Sequence, residues 1–397
     1  MFSHLEAAPS DPILGLMASY HADPRSQKID LGIGVYKDES GHTPILEAVK
    51  RAEAQRFERE TSKSYLGMAG DPEFNGHIDA LNFGEHVVRD EGRVFTAHTP
   101  GGTGALRVAA ELIRRARPEA TVWMSDPTWG NHPSVFRGAG LAVRDYPYYE
   151  PATSSLRAEA MLETLAQVPA GDVVLLHASC HNPSGVDIPA ELWPQIAALA
   201  SKQGWLPLVD MAYQGFANGL EADALAPRLL AADLPEILLC SSCSKNFGLY
   251  RERIGAVSIV AADSASARAS GSVMLSLIRN IYSMPPAHGA AIVARILEQP
   301  ELNALWQQEL AAMRERINGM RVAAVERIHA TGIDRDFGFI ARQRGMFSFL
   351  GIDKAQIHRL REEFAVYLID SSRINIAGLN AGNLDHFASS LATVLRD

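Results

Sequence analysis

Short strand-like and helix-like runs alternate along residues 121–260, and this alternation constrains the fold more than any other feature. The strand-like runs are continuously apolar, which is typical of strands buried on both faces of a sheet. Repeats of strand, helix and strand predict an α/β fold in which helices cover a mostly parallel sheet. The predicted strands are 121–124, 142–146, 173–177, 206–209, 237–240 and 256–260, and the predicted helices are 155–167, 190–203 and 223–232.

Polar residues follow four of these predicted strands. In open α/β sheets, ligands bind where the carboxyl ends of the strands meet. We therefore expect the side chains that follow the strands to converge on one site. They are Asp126 and Trp129, Asn182 and Ser184, Asp210 and Tyr213, and the segment 242–245.

Lys245 stands in a turn-rich segment between two apolar runs, among serines and ahead of Arg253. A desolvated lysine near positive charge loses part of its preference for the protonated form, and its free amine can attack a carbonyl. Hydroxyls and an arginine at this spacing can hold a phosphate. Aldehyde capture combined with phosphate binding indicates pyridoxal phosphate, which proteins hold as a Schiff base to lysine. From these residues alone, a solvated turn lysine remains the alternative.

Residues 99–104 form a glycine-rich turn that leads directly into a predicted helix at 105–117. Such a turn presents free backbone N–H groups and the positive end of the helix dipole, which suits an anion, although an ordinary loop is an equal alternative. The segment 242–245 also matches Ser-x-x-Lys, but the Ser-Asp-Asn and Lys-Thr-Gly triplets that accompany that motif are absent. Three cysteines cannot form a four-cysteine zinc site, and we predict no metal site.

The composition excludes several broad classes of protein. A net charge of −9 argues against nucleic-acid binding, because phosphate backbones require a basic surface. Three cysteines in 397 residues favour a reducing compartment. The N-terminal residues lack a signal-peptide pattern, and no run approaches the ~20 apolar residues of a membrane span. We expect a cytoplasmic protein that binds neither membranes nor nucleic acids.

Ten motifs, in order along the chain, carry a resemblance to a known family. The chain resembles the class I aminotransferases of pyridoxal-phosphate fold type I, and within them the bacterial aspartate and aromatic amino-acid aminotransferases. The likeness covers essentially the whole chain. The motifs are LGIGVYK at 31–37, YLG at 65–67, TPGGTGAL at 99–106, DPTWGNH at 126–132, CHNPSG at 180–185, DMAYQGF at 210–216, SKNFGL at 244–249, RIG at 253–255, PPAHG at 285–289 and RINIAG at 373–378.

The resemblance implies a fold and a domain organisation. A large domain with a mostly parallel seven-stranded sheet, flanked by helices, binds pyridoxal phosphate. A smaller α+β domain is built from both ends of the chain. The implied divisions are an N-terminal arm at 1–12, the small domain at 13–43 and 313–397, and the large domain at 44–312.

The resemblance also implies the roles of individual residues around the cofactor. Lys245 binds the cofactor covalently and then acts as the base that moves the substrate proton. Asp210 pairs with the pyridine nitrogen, Tyr213 and Asn182 donate hydrogen bonds to the ring oxygen, and Trp129 stacks on the ring. Lys245, Asp210 and Tyr213 are thus the implied catalytic residues. The phosphate is held by Gly102, Thr103, Ser242, Ser244 and Arg253.

Two of the implied contacts, those of Tyr65 and Arg279, come from a second copy of the chain. In this family, residues at the positions of Tyr65 and Arg279 reach the partner's cofactor phosphate and substrate side chain, respectively. Arg373, beside the backbone of Gly34, clamps the substrate α-carboxylate. Trp129, Asn182 and Met284 also line the substrate pocket. The active protein is therefore expected to be a homodimer with shared sites.

The implied reaction is transamination between an aromatic L-amino acid, tyrosine or phenylalanine, and 2-oxoglutarate. Aspartate and glutamate are expected to serve as amino donors as well. The reaction yields the 2-oxo acid and L-glutamate by a ping-pong mechanism. Met284 stands where relatives carry Asn or Ser and favours aromatic side chains, whereas Val35, Lys37, Thr43 and Thr103 resemble the aspartate type. An aspartate aminotransferase is thus the alternative. Remoter alternatives are a pyridoxal-phosphate lyase or decarboxylase, and a non-catalytic aminotransferase-like domain of a regulator.

Overall fold

A computed structural model describes residues 2–7, 12–84 and 87–396. The sequence predicts Asp11 as the N-cap of a helix with Pro12 in its first turn, and Asp11 lies outside these residues. The strands are β1 (Ile29–Asp30), β2 (Val94–Pro100), β3 (Thr121–Asp126), β4 (Ala142–Pro147), β5 (Tyr149–Glu150), β6 (Ser155–Leu156), β7 (Val173–His177), β8 (Leu206–Met211), β9 (Ile237–Ser242), β10 (Ile254–Val260), β11 (Phe347–Phe349), β12 (Val366–Tyr367) and β13 (Arg373–Asn375).

Helices surround these strands, and three short 3-10 turns lie at Phe2–His4, Ala190–Leu192 and Ile376–Gly378. The helices are α1 (Pro12–Ala22), α2 (Glu47–Arg59), α3 (Pro72–Phe83), α4 (Val87–Asp90), α5 (Gly101–Ala116), α6 (His132–Gly138), α7 (Ala158–Leu165), α8 (Trp193–Gln203), α9 (Leu220–Asp223), α10 (Leu225–Asp233), α11 (Ser264–Ile281), α12 (Ala287–Glu298), α13 (Pro300–Ala330), α14 (Phe339–Arg342), α15 (Lys354–Phe364) and α16 (Leu384–Arg396).

Seven strands form the central sheet in the order β2-β10-β9-β8-β7-β3-β4. Four neighbouring pairs from β9 to β4 are parallel, and β10 is antiparallel to both of its neighbours. Six strands therefore share one direction. The predicted mostly parallel sheet is confirmed, and all six predicted strands belong to it. The seventh, β2, was not among the predicted strands.

Both faces of the sheet are buried, as the continuous apolar runs predicted. Along β7, Val173 and Leu175 belong to the apolar cluster that includes α5, while Val174 and Leu176 belong to the cluster that includes α7 and α8. Consecutive side chains of a strand point to opposite faces, so every position of β7 is covered. Burying each such side chain stabilises the fold by about 1.5–3 kcal/mol.

Segments from the two ends of the chain pack together beside the central sheet. Strand β1 pairs in parallel with β12, and β11 pairs antiparallel with β13. The 31-residue helix α13 contributes to the apolar cluster that these segments share with α16. The α+β unit built from both chain ends is therefore present. Among the described residues, no helix is both long and apolar enough to cross a membrane.

Several predicted helices begin at other residues: α5 begins at Gly101 rather than residue 105, and α10 at Leu225 rather than residue 223. Residues 155–156 form β6, which pairs with β5, and the following helix begins at Ala158 rather than Ser155. The charge and apolar spacing of residues 44–60 predict a helix, and α2 begins instead at Glu47, where the Glu309 carboxylate accepts the N–H groups of Glu47 and Ala48. The sequence predicts Asn380 as the cap of the terminal helix, but α16 begins at Leu384, so Asn380 is not its N-cap.

Candidate active site

A pocket of roughly 600 Å³, counted to its open mouth, lies at the carboxyl ends of the sheet strands. It collects residues at or after the ends of β3, β7, β8 and β9 together with the first turn of α5, as expected for the carboxyl ends of the strands, but Asp126 and Ser184, which were expected to converge there, do not line it. Ten of the predicted site residues line it. The lining residues are Gly102, Thr103, Leu106, Trp129, His177, Ser179, Asn182, Asp210, Ala212, Tyr213, Ser242, Ser244, Lys245 and Arg253.

Lys245 follows β9, and its half-buried side chain reaches this pocket. Burial lowers its pKa to about 8, with Arg253 acting in the same direction and Asp210 opposing them. The ammonium nitrogen lies 4.9 Å from the centre of the Tyr213 ring. A lysine with this pKa has an appreciable neutral fraction near physiological pH, which a nucleophile or base requires.

Asp210, near the end of β8, anchors a chain of hydrogen-bonded side chains. Its Oδ2 lies 3.0 Å from His132 Nε2, and His132 Nδ1 lies 2.8 Å from Thr128 Oγ1. The same hydroxyl lies 3.3 Å from His177 Nε2. Burial would raise the Asp210 pKa, but the His132 hydrogen bond and the charge on Lys245 keep that pKa below its ordinary value. Asp210 is therefore an ionised carboxylate within the pocket.

The hydrogen-bonded residues behind Asp210, which are His132, Thr128 and His177, were not predicted from the sequence. His132 lies within the motif at 126–132, but no role was assigned to it, and nothing in the sequence separates Thr128 or His177 from ordinary polar residues. Burial lowers the pKa of His177 to about 3, so its ring is neutral near physiological pH. A neutral ring adds hydrogen bonds behind Asp210 without adding a buried charge.

The N-terminus of α5 and the β9 serines form an anion-binding surface. Ser242 Oγ donates to Ser244 Oγ over 3.1 Å, beside the Gly102 backbone. The Arg253 guanidinium packs against Gly101, where a Cβ atom would lie 2.5 Å from its Nη2. No acidic residue in the described part of the chain forms an ion pair with Arg253, so its charge is available to a ligand. Backbone donors, hydroxyls and an arginine suit a phosphate.

Arg373, on β13, lies next to this pocket. Its Nη1 donates to Asn182 Oδ1 over 3.3 Å and its Nη2 to the Gly32 carbonyl over 2.7 Å, while its buried Nε has no protein acceptor. The Phe347 ring lies 4.3 Å from the guanidinium carbon and also faces Gly34. The predicted neighbourhood of Arg373, Asn182 and the Gly34 segment is therefore present, with donors left for a carboxylate.

Three predicted site residues lie away from this pocket within one chain. Tyr65 is 94% exposed, and Arg279 is exposed with its Nη1 donating to Ser283 Oγ. Tyr65 and Met284 line a separate, larger groove beside α2 and α12. A single chain thus does not bring these three residues to Lys245.

The pocket combines a buried amine, an ionised carboxylate and an anion-binding surface in an open α/β sheet, which is the arrangement of a lysine-dependent α/β enzyme. The family model for "Aminotransferase class I and II" matches residues 26–391. The chain belongs to this aminotransferase family.

Curated relatives and solved structures agree over the full chain. It is 51% identical to an aspartate aminotransferase of Salmonella typhi, with 100% of both chains covered. It is 48% identical to an aromatic-amino-acid aminotransferase of Pseudomonas aeruginosa, covering 100% of this chain and 99% of the relative. A crystal structure of the aromatic-amino-acid aminotransferase from Burkholderia pseudomallei, covalently bound to pyridoxal phosphate, superposes with a TM-score of 0.98 at 45% identity, covering 100% and 99%.

Proposed function

We propose that this protein is a pyridoxal-phosphate-dependent aminotransferase that exchanges the amino group of an L-amino acid with 2-oxoglutarate. One observation carries the proposal: Lys245, with its pKa lowered to about 8, shares one pocket with the Asp210 carboxylate and with Arg253, which has no ion-pair partner among the described residues. The family and the relatives named as aminotransferases support the same reaction.

The residues present fit pyridoxal phosphate. The Arg253 charge and the free donors of the α5 N-terminus suit its phosphate, and the Asp210 carboxylate suits a protonated ring nitrogen. When bound, the cofactor supplies an aldehyde for amino groups and a ring that accepts electrons from the substrate α-carbon. The residues that would hold it are Gly102, Thr103, Trp129, Asn182, Asp210, Tyr213, Ser242, Ser244, Lys245 and Arg253.

Asp210, Lys245, Tyr213 and Arg373 would each have a separate role in the reaction. Asp210, held by His132, keeps a negative charge that would stabilise a protonated ring nitrogen of the cofactor. Lys245 would supply the amine that takes up the substrate α-proton and carries it until it is returned, and its lowered pKa suits a base near neutral pH. Burial raises the pKa of Tyr213, so its hydroxyl remains a hydrogen-bond donor. Arg373 orients the substrate through its α-carboxylate.

Aromatic amino acids are the favoured substrates, with aspartate and glutamate also accepted. Met284, which would reach the substrate side of a site shared between two copies of the chain, is apolar, and relatives include aromatic-amino-acid, tyrosine and aspartate aminotransferases. An aspartate aminotransferase is the second candidate. Its support is Arg279, whose charge suits a side-chain carboxylate. The reaction runs as a ping-pong exchange that yields the 2-oxo acid and L-glutamate.

A homodimer with shared sites explains the residues that one chain leaves away from the pocket. Tyr65, Arg279 and Met284 would then complete the partner's site. The groove that Tyr65 and Met284 line is bordered by α2, on which Phe57 is 88% exposed. Together with Tyr65, Leu66 and Met284 in the groove, this gives an apolar surface of the kind that a second copy of the chain would cover.

Hybrid dimers test this sharing directly. Lys245→Ala and Arg279→Ala subunits, refolded together at equal amounts, should form hybrids in which one site has both residues. Since about half of the dimers are hybrids and each has one complete site, aspartate activity should recover to about a quarter of the wild-type value. No recovery despite demonstrated subunit exchange would refute shared sites.

The division into domains and the compartment complete the proposal. We take residues 1–12 as an arm, 13–43 and 313–397 as the small domain, and 44–312 as the large domain. Cys180, Cys240 and Cys243 are buried free thiols, which suits the reducing cytoplasm. Limited proteolysis tests the boundaries near residues 12 and 43, where cleavage should concentrate, whereas residue 312 lies within the continuous helix α13 and should resist cleavage.

Product analysis tests the proposed reaction. The cofactor-loaded protein should form a 2-oxo acid and glutamate in equal amounts, and Lys245→Ala should lose this turnover together with the absorbance of the lysine-bound cofactor. Lys202→Ala, on the exposed surface of α8, is the matched control and should behave as the wild type. Release of carbon dioxide or free ammonia would instead indicate a decarboxylase or lyase.

A further inference from the structure

We infer that Arg321 is a positioning residue for substrate binding, acting through Phe347 on Arg373. This inference rests on the proposed function, because it assigns the substrate carboxylate to Arg373. Arg321 lies on α13 and is fully buried, with no accessible surface. A buried guanidinium needs either an ion-pair partner or a nearly complete set of hydrogen bonds.

The partners of Arg321 are the Ser348 hydroxyl at 3.5 Å and, mainly, carbonyl oxygens of the segment 340–347, called here the loop. Burial lowers its pKa only to about 10, so the group is charged near neutral pH, and no ion pair with an acidic residue satisfies it among the described residues. Its strongest contacts are to the Gly345 carbonyl at 2.7 Å and the Phe347 carbonyl at 2.6 Å, both from Nη2. It also donates to the carbonyls of Ile340 and Arg344. The Arg321 guanidinium therefore binds four carbonyl groups of the segment 340–347.

This loop presses against the segment that carries Asn182. The Arg344 N–H donates to the Gly185 carbonyl over 3.0 Å. A Cβ atom on Gly345 would lie 2.4 Å from the Cys180 Cβ, and one on Gly185 would lie 2.3 Å from the Phe347 carbonyl oxygen. The two segments touch closely, so a shift of the loop cannot be absorbed without moving its neighbours.

Phe347 transmits the loop position to the site. Its ring lies 4.3 Å below the Arg373 guanidinium and packs edge-on against Tyr213 at 5.9 Å. A Cβ atom on Gly34 would lie 3.0 Å from Phe347 Cζ. Without Arg321, the converging carbonyls lose their donors and the loop would reopen toward water, which moves the ring that supports Arg373.

The expected signature is a change in substrate binding with the cofactor site intact. In the holoenzyme, Arg321→Met should raise the KM for phenylalanine roughly tenfold, while kcat stays within about threefold and the absorbance of the lysine-bound cofactor is unchanged. Arg321→Lys keeps the charge and part of the hydrogen bonding, so its KM should lie between those of Arg321→Met and wild type. Arg327→Met, on the exposed face of the same helix, is the control and should leave KM unchanged.

Phe347→Leu keeps the inference testable if Arg321→Met fails to fold. This variant removes the ring but leaves the carbonyl groups that bind Arg321. Its KM for phenylalanine should rise by a factor similar to that of Arg321→Met. Adding Arg321→Met to the Phe347→Leu variant should then raise the KM for phenylalanine by less than a further factor of about two, because both residues act through the same ring. An unchanged KM in either single variant, or losses of kcat and cofactor absorbance in parallel with KM, would overturn the inference. A wild-type protein that does not transaminate would instead refute the proposed function.

Discussion

Replacing Lys245 by methionine should stabilise the cofactor-free protein near neutral pH while abolishing turnover. Burial lowers the pKa of Lys245 from its ordinary 10.5 to about 8. Each pKa unit corresponds to about 1.4 kcal/mol, so holding this ammonium in the folded protein costs about 3 kcal/mol. Methionine fills a similar volume without a charge.

The pH dependence follows from the direction of the shift. The unfolded chain binds the Lys245 proton more tightly than the folded protein does. The penalty is therefore complete below pH 8 and disappears as the pH rises from 8 to 10.5. Lys245→Met should increase the free energy of unfolding by about 2–3 kcal/mol at pH 7 and by less than about 1 kcal/mol at pH 10.

Urea unfolding of the cofactor-free protein at one protein concentration measures this difference. Wild type and Lys245→Met are compared at pH 7 and pH 10, and Lys202→Met serves as the exposed control, for which no difference is expected. A methionine variant that is less stable than wild type at pH 7 would refute the reasoning. So would a gain in stability that is equal at the two pH values.

Three further predictions concern single residues. Arg279→Ala should lower kcat/KM for aspartate about a hundredfold and that for phenylalanine far less, because only aspartate loses a charge partner; equal losses would contradict this. His132→Leu removes the donor to Asp210, whose pKa should rise, so the acidic limb of the kcat/KM profile should move to higher pH; an unmoved limb would exclude this link. Glu309→Ala should lower the unfolding free energy by about 1–2 kcal/mol in urea titrations, because α2 loses its cap; an unchanged midpoint would show that water replaces it.

Local pattern was sufficient to predict the framework of the fold and the centre of the site. The apolar runs located six strands of the central sheet, and the rule that ligands bind at carboxyl ends brought Asp210 and Lys245 to one pocket. These predictions succeeded because strand burial and strand direction depend on short stretches of sequence.

The parts that were missed depend on contacts between distant segments. The link from Asp210 through His132 and Thr128 to His177 joins three strand ends. The start of α2 is set by Glu309, 262 residues further along the chain. No local pattern identifies such partners, because each residue taken alone is an ordinary polar side chain.

The burial of Arg321 was not predictable from the sequence either. Within its helix the sequence indicates only an arginine among other charged residues, which usually lies on a solvated face. Its burial follows from the loop at 340–347 folding over it, and its carbonyl partners are invisible in the amino-acid sequence because every residue has one.

The most direct test of the account is kcat/KM for phenylalanine and aspartate, measured side by side with 2-oxoglutarate on the cofactor-loaded protein. The account predicts glutamate formation from both donors, with phenylalanine comparable to aspartate or ahead of it. Aspartate ahead by orders of magnitude would contradict the aromatic preference drawn from Met284 and indicate an aspartate aminotransferase. Glutamate formation from neither donor would contradict the proposed reaction itself.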